Sequence, residues 1–123
     1  AWVVSGNKEF DELTTTGKNY IFEIKNNSIK ELEIDSNNFG IEKSKKEDLI
    51  GGDSKKNAEI IKGILKGELS GAKKDIVLLN SASALYINGI TKDIESGLKI
   101  VNETIVSGKA LKKLNELIEL SNS

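Results

Sequence analysis

The chain has 123 residues, 37% hydrophobic and 30% charged, with a formal net charge of -1, the balance of one globular domain or a piece of one rather than of a disordered chain. It contains no His and no Cys, which excludes imidazole acid–base catalysis, thiol nucleophiles, disulfides and the usual zinc ligands. All 18 cationic residues are Lys, so the bidentate fork that reads phosphate and guanine is missing, and no nucleic acid partner is expected. Carboxylate, ammonium, hydroxyl, amide and backbone remain, a set better suited to magnesium and phosphate than to acyl transfer. No apolar stretch approaches bilayer length and no charged-then-apolar leader is visible, so no membrane is expected and the cytoplasm is the expected location. Because Met is absent and Ala1 stands first, the gene is expected to begin elsewhere.

In chain order, Trp2-Val3-Val4 closed by Ser5-Gly6-Asn7 predicts a short strand ending in a turn. Tyr20, Phe22 and Ile24 alternate with Glu23 and Lys25. After Asn26-Asn27, Leu32 and Ile34 alternate with charged residues, so two amphipathic strands form a hairpin around an Asn turn. Residues 35–50 are polar and irregular, with Phe39, Ile41, Leu49 and Ile50 as expected anchors and a helical turn over Lys46–Leu49. Gly51-Gly52 precedes Asp53 and Ser54, which cap a helix carrying Ala58, Ile61 and Leu65 as far as Gly67. From Asp75 to Asn88 nearly every position is apolar, which predicts a helix central to the core; Asn80, Ser81 and Ser83 within it need partners, the first most simply from backbone. A helix over Ile94, Leu98, Val101 and Ile105 ends near Ser107-Gly108, and a last one carries Leu111, Leu114, Leu117 and Ile118.

Asp11 and Glu12 lie just beyond the first strand. Adjacent carboxylates point to opposite faces of a strand and diverge on a helix, so only a loop or an element's end lets both reach a hard cation. From the residues alone, a solvent-facing pair or a helix start is the favoured account of them. The run Thr14-Thr15-Thr16-Gly17 reads as a turn, although its hydroxyls are also of a type that contacts phosphate. Lys73 and Lys74 read as a solvated face or as charge near the start of the buried helix.

Taken together, four segments resemble the C-terminal part of the anthranilate phosphoribosyltransferase family. They are Trp2-Val3-Val4-Ser5-Gly6 leading to Asp11-Glu12-Leu13, Thr14-Thr15-Thr16-Gly17, Gly51-Gly52-Asp53 with Asn57-Ala58, and Leu78-Leu79-Asn80 with Ala84-Leu85-Tyr86. Their order and spacing agree over nearly the whole chain. The chain departs from the family pattern at Ser5, where His is usual, at Glu9-Phe10, where Gly-Leu is usual, and at Lys18, where Pro is common.

The resemblance implies a mixed α/β fold: the C-terminal portion, over residues 1–123, of a nucleoside phosphorylase/phosphoribosyltransferase-like domain, with a short strand and hairpin followed by three or four helices. It implies a transferase that moves phosphoribosyl from phosphoribosyl pyrophosphate to anthranilate in tryptophan biosynthesis, with Mg2+ as cofactor and Asp11 and Glu12 as its ligands; no catalytic base is carried over. The family's diphosphate loop, acceptor contacts and helical dimerisation domain belong to preceding sequence. The full-length protein is therefore expected to be a homodimer, and these residues alone to be inactive and to self-associate through an apolar edge at Trp2–Val4. A related nucleoside phosphorylase and a non-catalytic binding module of the same fold are the alternatives.

Overall fold

The computed structural model describes residues 1–123 and contains a three-stranded antiparallel sheet and four α-helices, the mixed α/β arrangement expected. Strands β1 (Trp2–Gly6), β2 (Lys18–Lys25) and β3 (Ser28–Asp35) lie side by side in that order, so β1 is an edge strand. Asn26 (φ 51°) and Asn27 (φ 58°) both take left-handed backbone, the two-residue turn whose twist matches its strands, and this sets Ile24 opposite Ile29. Beyond β3 come 3₁₀ turns at Ser36–Phe39 and Lys46–Leu49, then helices α1 (Ser54–Leu65), α2 (Ala72–Ile87), α3 (Ile94–Val106) and α4 (Lys109–Ser121). Asp53 and Asp93 cap α1 and α3 by accepting from the N–H groups of Lys56 and Ser96.

The core joins Leu13, Ile21, Ile41, Leu79, Ala82 and Ile94, with Trp2, Val4, Leu32, Ile34 and Tyr86 packed around them. The sheet therefore lays its Trp2–Val4–Ile21–Leu32–Ile34 side on α2. Its other side carries Val3 opposite Phe22 and Ile24 opposite Ile29, all exposed. Tyr20, Phe22 and Ile24 thus form the outer rather than the core face of β2, because Ile21 lets that strand offer an apolar surface on both sides. Helices α2 and α3 cross closely at Gly97, where a Cβ would stand 2.8 Å from the Ala82 carbonyl oxygen.

Some expectations need correction. Ile50 is 64% exposed and anchors nothing, since it lies in the extended run that leaves the second 3₁₀ turn. Helix α2 begins three residues before Asp75, because Gly71 (φ 84°) turns the chain into it. It buries only Leu79, Ala82 and Ser83, leaves most of the rest half-buried and exposes Ala84 and Ile87, so it is central on one side and not all round. Lys73 is half-buried rather than solvated, and its Nζ donates to the Asp48 carbonyl at 2.6 Å, tying α2 to the second 3₁₀ turn.

Candidate functional site

The loop that carries Asp11 and Glu12 is built from its ends inward. After β1 the backbone reverses through Asn7 (φ 48°) and Lys8 (φ 60°). Gly6 and Phe10 then exchange backbone hydrogen bonds of 3.0 and 2.9 Å, while the Asn7 N–H donates to the Lys18 carbonyl at 2.7 Å. The folded-back segment lies so close that a Cβ on Gly6 would stand 2.4 Å from the Glu12 carbonyl oxygen, so only glycine fits there. On the outside, Glu9 pairs with Lys46 at 3.1 Å, linking the loop to the second 3₁₀ turn.

Two amide side chains grip the residues that follow Glu12. Asn80 of α2 accepts from the Leu13 N–H (3.0 Å) and donates to the Leu13 carbonyl (2.8 Å), with a further donation to the Ile76 carbonyl one turn earlier (3.0 Å). Asn19 at the start of β2 accepts from the Thr14 N–H (2.7 Å) and donates to the Thr14 carbonyl (3.0 Å). Each amide thus presents one acceptor and one donor to a single residue, as a neighbouring strand would. Thr14 and Thr15 are fully buried: the Thr14 hydroxyl lies 3.0 Å from that of Thr16 and also accepts from the Thr16 N–H, and the Thr15 hydroxyl lies 2.6 Å from that of Ser44. The hydroxyls of Thr14 and Thr15 therefore hold the loop's own structure, in keeping with the turn reading rather than with phosphate contact.

Against this fixed base the two acids point outward. Both Asp11 and Glu12 are exposed, and neither takes part in any of the chain's four ion pairs. Glu12 lines a groove of about 370 Å³ whose walls include Phe10, Leu49, Ile60, Ile64, Ile76 and Val77; Asp11 lies outside it. Partial burial, and secondarily the charge of Asp11 beside it, push the Glu12 carboxyl above its ordinary range. Lys73 also lines the groove but spends its Nζ on the Asp48 carbonyl, so two like charges stand side by side with neither in an ion pair, a state that a divalent ion relieves. No group of three or more acidic, His or Cys side chains gathers anywhere in the chain to hold a metal unaided. The donor set fits magnesium, which binds through one or two carboxylates while keeping waters and substrate phosphates.

Gly51 and Asn57, which also line the groove, belong to a segment that the sequence read as a turn and cap and as part of the family pattern, without the contact that joins them. Asn57 accepts from the Gly52 N–H (2.8 Å) and donates to the Gly52 carbonyl (3.0 Å), and a Cβ on Gly51 would lie 2.2 Å from Asn57 Oδ1. Gly-Gly and Asn57 are therefore one clamp, with Asp53 capping the helix beside it. Asn19 was likewise missed. Its signal was an Asn, depleted in strands, inside a strand pattern with no turn to explain it.

With this geometry in place, comparison with known proteins is informative. Residues 1–111 match the glycosyl transferase family, a/b domain. Anthranilate phosphoribosyltransferase from Acetivibrio thermocellus is 45% identical over 123 residues, covering 100% of this chain and 35% of that protein. The enzyme of that name from Methanobrevibacter smithii is 42% identical over 120 residues, covering 98% and 36%. Among solved structures, anthranilate phosphoribosyltransferase from Thermus thermophilus superposes with a TM-score of 0.88 at 27% identity, over 100% of this chain and 36% of that one. The Saccharomyces cerevisiae enzyme in complex with PRPP and Mg gives 0.87 at 25% identity, over 96% and 34%. This chain spans about a third of the length of the curated relatives it matches. A match over most of its length, joined to the same fold, makes the chain a member of the glycosyl transferase family, a/b domain.

Proposed function

We propose that these residues are the C-terminal portion of the catalytic domain of an anthranilate phosphoribosyltransferase, which transfers phosphoribosyl from phosphoribosyl pyrophosphate to the amine of anthranilate. The observation that carries this reading is the presentation of Asp11 and Glu12, exposed and outside the chain's ion pairs, on a loop gripped by Gly6, Asn80 and Asn19. Relatives at 45% and 42% identity bear the name of this enzyme, and one structural neighbour was solved with PRPP and Mg, another with 4-fluoroanthranilate. Those similarities favour an aromatic amine as acceptor over the phosphate of a nucleoside phosphorylase.

In this reading Asp11 and Glu12 are the oxygen ligands of a magnesium ion. Cleavage at the anomeric carbon leaves negative charge on pyrophosphate and positive charge on the ribose, and magnesium, when bound, would supply positive charge to offset the former. The chain's own contribution is to hold two carboxylates where that charge gathers and to wall one of them with apolar side chains, which strengthens electrostatic interaction there. The diphosphate loop, the acceptor contacts and the homodimer interface fall to the rest of the protein, and a cytoplasmic location goes with the role. No helix of this chain is long and apolar enough to cross a membrane.

The test is a rate measurement on the full-length protein with anthranilate, phosphoribosyl pyrophosphate and varied magnesium. Asp11→Asn with Glu12→Gln is expected to raise the magnesium concentration needed for half-maximal rate, and an unchanged titration would remove the assignment. The 123 residues alone are expected to show no turnover.

A further inference from the structure

We propose that Asn80 is a positioning residue for the cation-binding carboxylates: its side-chain amide fixes the residue immediately after Glu12 and so sets where the acidic pair is presented. The inference rests on the reading of Asp11 and Glu12 as magnesium ligands and goes beyond it, because Asn80 belongs to a different element, 67 residues from Leu13 in sequence.

The geometry favours a positioning role over general core satisfaction. An amide placed only to satisfy itself within a helix needs little more than the carbonyl one turn earlier, and Asn80 has that bond to Ile76. Its remaining donor and its acceptor both go to one residue of the acidic loop, engaging the Leu13 N–H and carbonyl together. A single bond leaves a loop free to pivot, whereas two opposed bonds to one residue define its orientation. Thr14 is held in the same way by Asn19, so consecutive residues are gripped from α2 and from β2. Leu13 itself is a plug in the core at 2% exposure.

The same stretch of α2 also forms the wall that Glu12 faces. Ile76 and Val77 line the groove beside Glu12, and the Ile76 carbonyl orients the Asn80 amide. A shift of the loop against α2 would therefore move Glu12 along its own wall. Residues behind metal ligands that fix their orientation commonly change metal affinity about tenfold or more when removed.

The experiment uses the full-length protein, with transferase rate followed against free magnesium at saturating phosphoribosyl pyrophosphate and anthranilate, and with direct binding of manganese, in place of magnesium, followed by electron paramagnetic resonance. Asn80→Ser keeps a hydroxyl able to reach the Ile76 carbonyl but not Leu13, and Asn80→Ala removes every bond. Both are expected to raise the half-saturating magnesium concentration about tenfold while the rate at saturating magnesium falls by a smaller factor. Gly97→Ala, which presses on α2 at Ala82 but touches none of the Asn80 hydrogen bonds, serves as the structural control and is expected to lower stability without moving that midpoint. An unchanged midpoint in both Asn80 variants, with the Asp11→Asn, Glu12→Gln protein shifted, overturns the positioning role and leaves the metal reading standing. An equal shift in Gly97→Ala also overturns it. No shift in the Asp11→Asn, Glu12→Gln protein overturns both. If the Ser and Ala variants do not fold, Asn80→Asp carries the test: it loses the donors to Leu13 and Ile76, and its added charge would by itself tighten cation binding. A weaker hold on magnesium there supports the role, and an unchanged or tighter hold defeats it.

Discussion

The acidic loop and the C-terminal helix reverse the usual relation between regularity and restraint. Residues 6–19 include no helix and little strand, yet hold Leu13, Thr14, Thr15 and Asn19 at 2% exposure or less, with the backbone of Leu13 and Thr14 paired by side chains. Helix α4 is regular and amphipathic but buries no residue, and Leu117 and Leu120 stand 62% and 75% exposed. Local order in α4 comes from its own hydrogen bonds. In the loop it comes from distant parts of the chain, and that anchoring makes a loop rigid enough to present ligands.

The largest expected effect lies at the loop's centre. Asn19→Ala leaves the buried N–H and carbonyl of Thr14 without partners and is expected to destabilise the chain by about 3 kcal/mol, measured by urea unfolding. A loss below about 1 kcal/mol would show that the loop is not held as described. Next comes Gly6→Ala, which forces a Cβ against the Glu12 carbonyl and is expected to cost about 2 kcal/mol in the same assay. Asn57→Ala acts on an exposed clamp and should cost about 1 kcal/mol, with faster amide exchange at Gly52 as its local sign. Leu117→Lys, at the other extreme, should change stability by less than about 0.5 kcal/mol; a large loss there would erase the contrast between the two regions.

The pH dependence sharpens the contrast further. Burial raises the carboxyls of Glu12 and Asp75 above their ordinary values, with Lys74 opposing and Glu42 reinforcing the effect at Asp75. A carboxyl raised in the folded state makes the chain bind more protons folded than unfolded, so stability rises as pH falls through the raised value and gains nothing below the ordinary one. Asp93, lowered by its hydrogen bonds to Ser96, acts the other way and loses its contribution as pH falls through its depressed value. Asp75→Asn should therefore flatten the gain on the acid side, read as thermal midpoint against pH. Magnesium affinity should fall as pH falls through the raised value of Glu12, because a proton then competes with the cation.

Strand, hairpin and helix positions were legible because their signals are local. The Asn26-Asn27 turn, the Asp53 cap and the helical spacing around Ile94–Ile105 each need only a few neighbouring residues. Which side of β2 faces the core was not legible, since Ile21 and Phe22 both suit burial and the choice depends on what packs on each side. The acidic pair stood out through the family resemblance, since its place after a strand alone favours a solvent-facing pair or a helix start. Its supports did not, because Asn19 and Asn80 reveal their task only once β2 and α2 are brought against Leu13 and Thr14. Asn57 shows the same limit on a smaller scale, where a glycine pair that looks like a simple turn is half of a clamp.

The most direct measurement is anomalous scattering from manganese, used in place of magnesium, in crystals of the full-length protein grown with phosphoribosyl pyrophosphate. A peak within coordination distance of both the Asp11 and Glu12 carboxylates is the expected result. Manganese bound to the diphosphate with both side chains turned away would contradict it.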